Sequence, residues 1–264
     1  MDLNLAGRGA LVIGATGGMG GAIADLLAAE GVARLALGVR DRQAGEAIAE
    51  RLTAPPGPAV AVVDCDLGDP QGPTRCVAQA QEALGPVDII VAAAGEPARG
   101  GLFDVDEVDI AASLDTKLLG TVRLLRAALP PMRERGWGRA VVIGGLNGRN
   151  PKPGAVTGGI ANAGLANLVT AVAKDVGGDG VTVNLVDPHF TKTGRWDRLI
   201  ARTREAHGVT EEEATERILS GVPSRAPVPP EHVAAVVGLL VSEAGGSLNG
   251  CAIPVDGGAA AGLY

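Results

Sequence analysis

The chain has 264 residues, enough for one large domain with a well-buried core. Hydrophobic residues make up 46% of the sequence and aromatic residues only 2%, so the core must be built from Ala, Val, Leu and Ile. A net charge of −7 argues against a nucleic-acid partner or an anionic membrane surface. The three cysteines (Cys65, Cys76 and Cys251) lack metal-ligand spacing, which indicates free thiols in a reducing compartment and no metal site.

The sequence is not expected to contain a targeting or membrane-spanning segment. Residues 1–5 do not resemble a signal or transit peptide. The longest apolar run of helical period, residues 233–241, is about half of a membrane span and is interpreted as a core helix. The sequence therefore predicts a soluble, cytoplasmic protein with no membrane partner.

Short apolar runs alternate along the chain with longer segments of helical period. Continuously apolar strands separated by helices are typical of a parallel sheet covered on both faces. We therefore expect an α/β fold with a doubly wound, Rossmann-type sheet of seven parallel strands. The runs predict strands at residues 10–13, 35–39, 59–63, 88–93, 139–143, 181–186 and 252–255, and the main intervening helices at 20–30, 42–52, 74–84, 110–135 and 160–176.

Residues 1–264 are expected to form a single domain, because no segment has the composition of a linker. Residues 191–230 differ from the rest of the chain: they are charged, contain three consecutive glutamates and end in a group of prolines. We interpret them as an inserted lid of one or two helices over the carboxyl ends of the strands, where ligands bind in such sheets. A plain solvated surface helix is the alternative.

A glycine-rich turn, residues 14–20, directly follows the first predicted strand and opens the first helix. Glycine allows a tight turn and lets backbone N–H groups approach a pyrophosphate, and the helix N-terminus adds a positive dipole end. The turn therefore predicts a dinucleotide phosphate site, with a purely structural turn as the alternative. Its contact residues would be Gly14, Thr16, Gly18, Met19 and Gly20.

The end of the second strand bears on the choice of dinucleotide. An NAD-selective site would place Asp or Glu there to bind the ribose hydroxyls. This chain has Val39 followed by Arg40, and a guanidinium binds a 2′-phosphate that a carboxylate would repel. The sequence thus favours NADP over NAD, although Arg40 could also be a solvated arginine at a helix start.

Together these features resemble the short-chain dehydrogenase/reductase family over essentially the whole chain. The family's TGxxxGxG motif matches residues 13–20 with the Thr lost, its NNAG matches residues 92–95, and its PGxxxT matches residues 188–193. Its C-terminal NG…VDGG matches residues 249–258. The resemblance implies further cofactor contacts at Asp66, Leu67, Ala94, Gly95, Pro188 and Thr193.

The resemblance breaks at the catalytic positions. The family uses a Tyr as general acid/base, a Lys four residues later, a Ser thirteen residues before the Tyr, and an Asn in the preceding long helix. In this chain those positions fall on Gly158, Asn162, Gly145 and Lys117, and the sole tyrosine is Tyr264, the last residue. We therefore expect the whole tetrad to be replaced, with Asn162 still able to hydrogen-bond the nicotinamide ribose.

Two residues are candidates for a replacement acid. His189 stands at the Gly of the family's PG pair, and the ordinary pKa of histidine suits proton transfer near neutrality. Lys117 could donate a proton or stabilise an oxyanion if burial lowered its pKa. A packed histidine and a structural lysine are the alternatives. Asn147 could orient a carbonyl, although Asn before Gly148 more often makes a turn.

The sequence thus predicts an atypical NADP(H)-dependent oxidoreductase acting on a small carbonyl or alcohol. A lyase, isomerase or cyclase on the same scaffold, or a non-catalytic NADP-binding protein, are the alternatives. The resemblance also implies a homodimer or homotetramer formed through the helices at 110–135 and 160–176. The substrate pocket is expected to be apolar, lined by Leu146, Phe190 and Trp196.

Overall fold

The computed structural model describes residues 3–262. Met1 and Asp2, part of the segment judged not to be a targeting peptide, lie outside the described residues, as do Leu263 and Tyr264, the chain's sole tyrosine.

A seven-stranded sheet forms the centre of the fold, and every neighbouring pair of strands is parallel. The spatial order is β3-β2-β1-β4-β5-β6-β7, so the winding direction reverses between β1 and β4. This confirms the predicted doubly wound sheet and places a ligand crevice at the carboxyl ends of those two strands. The strands are β1 (Gly9–Ile13), β2 (Arg34–Val39), β3 (Ala59–Asp64), β4 (Ile89–Ala92), β5 (Gly138–Ile143), β6 (Val181–Pro188) and β7 (Ala252–Val255).

Helices cover both faces of the sheet and bury two separate apolar layers. One layer packs α3, α5 and α6 against the sheet, and the other packs α1 and α9 against the opposite face. The helices are α1 (Gly18–Ala29), α2 (Arg42–Thr53), α3 (Gly72–Leu84), α4 (Glu107–Leu114), α5 (Gly120–Glu134), α6 (Val156–Val176), α7 (Gly194–His207), α8 (Glu211–Leu219) and α9 (Pro230–Val241).

The predicted helix at 110–135 is not continuous. One turn of π-helix, Asp115–Leu119, joins α4 to α5, and the Gly120 N–H donates to the carbonyl of Asp115, five residues back. Hydrophobic periodicity does not reveal such a turn, because the turn adds only one residue and the apolar pattern continues before and after it. Lys117 lies inside this turn.

Other boundaries differ from the predicted ones where glycine or polar residues interrupt an apolar pattern. Helix α1 begins two residues before its predicted start, at Gly18, and α6 begins at Val156, four residues before its predicted start, since the two glycines of its first turn interrupt the apolar pattern. Strand β6 continues to Pro188, since Asp187 and Pro188 still pair with β7. Strand β4 begins after Asp88, whose carboxylate accepts a hydrogen bond from the Gly9 N–H at 2.9 Å.

The segment at 191–230 contains two helices, α7 and α8. They pack on each other around a small apolar cluster of their own, centred on Trp196, Ile200 and Leu219. Thr210 caps α8 in a reciprocal arrangement with Glu213, which fixes where that helix begins.

One helix, α6 with the short turn that follows it (Val156–Asp179), is long and apolar enough to cross a membrane by length and composition. Core helices of globular domains pass the same test. In this fold the helix buries Leu165 and Val169 in the apolar layer that also contains side chains of α3, α5 and the sheet.

Candidate active site

The glycine turn forms the floor of a cleft at the switch point. Gly14 has a φ of +80°, and its carbonyl accepts a hydrogen bond from the Gly17 N–H at 2.9 Å. A Cβ on Gly20 would lie 2.2 Å from the Gly14 carbonyl oxygen, so that position admits glycine alone. Gly17 caps α1 in an extended conformation without a side-chain hydrogen bond, which leaves the first-turn N–H groups available to an anion.

The loop after β6 closes over the start of α1. A Cβ on Gly18 would lie 2.4 Å from Thr193 Cγ2, so the loop and the helix start are in contact. Both residues are predicted cofactor contacts. Across the cleft, Gly95 has a φ of +106°, and its Cα faces the side chain of Lys117. These approaches define a narrow crevice between β1, β4 and the loop carrying Thr193.

Most of the predicted cofactor residues line this one cleft, whose volume is about 810 Å³. Asn162 and Pro188 instead line an adjoining cavity of about 300 Å³, together with both candidate acids, Lys117 and His189. Met19 and Thr193 line both spaces. The predicted residues in the larger cleft are Gly14, Thr16, Gly18, Met19, Gly20, Arg40, Asp66, Leu67, Ala94, Gly95 and Thr193.

Arg40 is exposed at the edge of the cleft, and no acidic side chain among residues 3–262 pairs with it. Its neighbour Arg42 is bound to Asp64, 3.1 Å away. The carboxylate of Asp41 is also engaged, because it accepts a hydrogen bond from the Ala44 N–H and caps α2. A free guanidinium is therefore the charge that this end of the cleft presents.

Lys117 is almost fully buried at the wall of the smaller cavity. Its Nζ donates to the carbonyl oxygen of Gly144, 3.3 Å away. Burial is the main cause that lowers the pKa of Lys117 to about 8, and the positive charge of Arg195 adds to it, while Asp187 and Glu96 act in the opposite direction. An ammonium with this pKa can both lose and regain its proton near neutral pH.

Two asparagines occupy the space beside Gly145 and Gly158. Asn162 Nδ2 donates to Asn147 Oδ1 at 2.5 Å, and Asn162 Oδ1 is buried with no hydrogen-bond partner among residues 3–262. A Cβ on Gly145 would lie 2.8 Å from Asn162 Nδ2, and one on Gly158 would lie 2.8 Å from Asn147 Nδ2. The two asparagine side chains can therefore take up these positions only because Gly145 and Gly158 have no Cβ.

The ordinary histidine pKa assumed for His189 is wrong in this environment. Burial, and then the neighbouring Lys152 ammonium, lower the pKa of His189 to about 4, with Asp256 opposing them. Lys152 Nζ lies 2.9 Å from His189 Nε2, so the lysine donates and the ring accepts. His189 is consequently neutral at pH 7, and its ring stands edge-on to Phe190 with centroids 4.0 Å apart.

The profile of a family described as enoyl-(acyl carrier protein) reductase matches residues 14–260, from the glycine turn to beyond β7. The chain belongs to the short-chain dehydrogenase/reductase family. It is 28% identical to acetoacetyl-CoA reductase from Allochromatium vinosum, over 95% of this chain and 98% of that protein.

Solved structures of other reductases superimpose closely on the chain. L-sorbose reductase from Gluconobacter frateurii, complexed with NADPH and L-sorbose, has a TM-score of 0.94 at 25% identity, covering 100% of both chains. A 3-oxoacyl (acyl-carrier-protein) reductase from Agrobacterium tumefaciens with NADP bound has a TM-score of 0.88 at 31% identity, covering 97% of this chain and 96% of that one.

Sequence reasoning found the apolar wall of the smaller cavity but missed its charges. Leu146, Phe190 and Trp196 line it as expected. Arg99, Lys152 and Arg195 line it too, and none of them belongs to a motif of the family. Arg99 and Lys152 lie in two separate loops and Arg195 lies at the start of α7. No sequence pattern indicates that they meet, because only the fold brings them together.

Proposed function

We propose that the protein is an NADP-dependent oxidoreductase that exchanges a hydride between NADP(H) and a small carbonyl or alcohol, with Lys117 in place of the family's Tyr-Lys pair. The observation that carries this proposal is the buried Lys117 ammonium, which lines the smaller cavity next to the cleft formed by the glycine turn. The proposed enzyme differs from the family in two respects: the four catalytic residues are replaced, and Lys117 donates the proton.

The cleft fits a dinucleotide with a 2′-phosphate. Gly14, Gly18 and Gly20 leave the turn free of side chains, and the uncapped first turn of α1 is directed into the cleft. Arg40 offers an unpaired guanidinium, as a 2′-phosphate requires. Two structural neighbours contain NADP or NADPH, which supports the same choice here. When bound, NADPH supplies the hydride.

The family's Ser and Tyr chemistry has no equivalent in our alignment. Gly145 and Gly158 carry no side chain, and Asn162 and Asn147 occupy the space that would otherwise receive one. Asn147 and Asn162 line the cavity, and the Nδ2 of Asn147, whose Oδ1 accepts from Asn162, remains a hydrogen-bond donor for a ligand hydroxyl or carbonyl group. We assign the asparagine pair a binding and orienting role.

Lys117 is the better of the two candidate acids. With a pKa of about 8 it is mainly protonated at pH 7 and can donate to an alkoxide formed from a carbonyl, and it can be re-protonated from solvent. His189 is neutral at pH 7 and accepts from Lys152, so we assign it to positioning that lysine. Loss of such a proton donor costs roughly 10²–10⁴-fold in rate.

Further features of the proposal concern organisation. We infer one domain over residues 1–264, with α7 and α8 as a lid, because Trp196 and Leu199 of α7 line the smaller cavity. We also infer a cytoplasmic homodimer or homotetramer, in which α4, α5 and α6 would meet their copies. Exposed apolar side chains support that arrangement, namely Val108 of α4, Leu119 in the π-helical turn between α4 and α5, and Ile160 of α6.

The test has two stages. NADPH and NADH are titrated into the protein while the fluorescence of Trp137 and Trp196 is followed, and binding of NADPH in preference to NADH is expected. NADPH oxidation is then measured in a single turnover against a panel of aldehydes and ketones. No binding of either nucleotide would remove the proposal, whereas binding without oxidation of NADPH would favour a non-catalytic or non-redox protein.

A further inference from the structure

The smaller cavity carries an unusual set of charges for a protein with a net charge of −7. Four basic residues line it, namely Arg99, Lys117, Lys152 and Arg195. None of the described residues that line it is an Asp or a Glu. The cavity therefore concentrates positive charge in a protein that is acidic as a whole.

Part of this charge is already neutralised. Arg195 Nε lies 3.3 Å from Glu96 Oε1, and the other oxygen of Glu96 binds Arg198 at 3.2 Å. Arg195 and Arg198 also line the larger cleft, where a dinucleotide pyrophosphate would compete for them. These arginines are therefore accounted for without a substrate.

Arg99 and Lys152 are different. Within residues 3–262, neither has a carboxylate within salt-bridge distance. Arg99 is close enough to Arg195 for its positive charge to add to burial in lowering the pKa of that guanidinium, while Glu96 acts in the opposite direction. The side chains of Arg99 and Lys152 are both exposed, so their charges are open to an anion that enters the cavity.

Lys152 is held in place by neutral groups. His189 Nε2 accepts one of its N–H bonds at 2.9 Å, and its Nζ stands 5.6 Å from the centroid of the Phe190 ring. Both contacts orient the ammonium without neutralising it, and two N–H donors remain. A preorganised cation beside an apolar wall is a suitable receptor for an anion that also has an apolar portion.

We propose that the substrate carries an anionic group, a carboxylate or a phosphate, that is bound by Lys152 and Arg99 while its carbonyl or hydroxyl faces Lys117. This inference rests on the proposed oxidoreductase function and names the class of its substrate. The cavity volume of about 300 Å³ lies at the small end of ligand sites, so a compact oxoacid or sugar phosphate fits its size.

The test measures binding without turnover. Calorimetry with protein saturated in NADP⁺, which cannot reduce a ketone, compares pyruvate, acetoacetate and levulinate with their methyl esters, and dihydroxyacetone phosphate with dihydroxyacetone. At least one anion should bind about tenfold or more tightly than its neutral partner, and the affinity should fall with added salt. The oxoacids and the phosphate ester separate the two sources of negative charge.

Variants locate the site. Lys152→Met and Arg99→Leu should each weaken binding of that anion about tenfold and leave the affinity for the neutral partners unchanged. Lys152→Arg should keep most of the anion affinity that Lys152→Met loses. Lys174→Met is the matched control, because Lys174 is an exposed lysine in the last turn of α6, away from the cavity. The control should bind the anion like the wild type.

Several outcomes would overturn the inference. They are equal or tighter binding of the neutral partners, no binding by any of the anions, or unchanged anion affinity in both cavity variants. Failure of the proposed function would look different, because NADPH would then not bind or would not be oxidised by any carbonyl compound, charged or neutral.

Discussion

The side-chain amide of Asn162 donates to Asn147 Oδ1 across the wall of the smaller cavity, at 2.5 Å. The two residues are fifteen positions apart, one in α6 and one in a short 3₁₀ turn, Leu146–Gly148, after β5. Gly158 makes room for the pair, since a Cβ there would contact Asn147 Nδ2. Glycine at position 158 is thus required by its neighbour, because the Asn147 amide occupies the space that a side chain there would fill.

The variant Gly158→Ala should displace Asn147 and lower kcat/KM about tenfold, with little change in thermal stability. The methyl group meets the end of a flexible side chain, and the gain in helix propensity of about 0.5–1 kcal/mol offsets the strain. Steady-state kinetics and thermal unfolding check this. Gly159→Ala is the control, because its Cβ would make an ordinary contact of 3.4 Å with the Asn147 carbonyl oxygen. Strict additivity of Gly158→Ala and Asn147→Ala in kcat/KM would contradict the coupling.

Lys117→Met should reduce the rate of carbonyl reduction roughly 10²–10⁴-fold and remove one limb of the pH profile. In the wild type, kcat/KM for reduction should fall as pH rises through about 8, because Lys117 then loses the proton it donates. The profile of the variant should be flat in that region. A wild-type limb near pH 8 that persists in Lys117→Met would assign the titration to another group.

The same substitution should stabilise the protein at pH 7. The pKa of Lys117 is lowered from 10.5 to about 8 on folding, so its charge carries a cost that is absent above about pH 10.5 and complete below about pH 8. This cost is on the order of 3 kcal/mol, and part of it is offset by the hydrogen bond to Gly144. We expect Lys117→Met to unfold at higher denaturant concentration than the wild type at pH 7, with the difference shrinking towards pH 10.

His189 should make the protein sensitive to acid. Its pKa is lowered from 6.5 to about 4, so the folded state resists protonation and loses stability as pH falls from about 6.5 to about 4. His189→Gln should flatten the decline in unfolding temperature over this range. The exposed residue His207 supplies the control variant, His207→Gln, which should follow the wild type. An unchanged decline in His189→Gln would show that other groups cause it.

Arg40→Gln should raise the Kd for NADPH about 10–100-fold and leave that for NADH unchanged, since the guanidinium is expected to bind the 2′-phosphate alone. Fluorescence titration measures both constants. Arg42→Gln breaks an ion pair with Asp64 next to the cleft and should change neither. An equal loss of NADPH and NADH affinity in Arg40→Gln would indicate a general effect on the loop.

The fold could be predicted further than the site, for a physical reason. Strands such as β1 and β5 are buried along their whole length, and their apolar runs state this directly in the sequence. The glycine turn is equally local, because its seven residues contain both the tight turn and the helix start. Boundaries shifted where a glycine or a proline interrupted the pattern, as at Gly18 and Pro188.

The charges of the site depend on contacts between distant parts of the chain. Lys152 and His189 are separated by 37 positions, and no sequence pattern announces that they touch. The pKa of His189 follows from that contact and from burial, so the ordinary histidine value was the wrong starting point. The replacement of the family's catalytic side chains stays a prediction, because it depends on Gly145, Gly158, Asn162 and Lys117 being the aligned positions.

The π-helical turn around Lys117 has a consequence for how homologous chains are compared. A turn of this kind holds one residue more than an α-helix, and such turns often mark functional positions. Deleting one residue from Asp115–Leu119 would rotate everything before it by about 100° relative to α5 and turn the ammonium away from Gly144. An alignment that runs through α4 and α5 without a gap could therefore match Lys117 to a residue that faces elsewhere in a relative with an unbroken helix. Equivalence at this position has to be judged from superimposed backbones, not from column numbers.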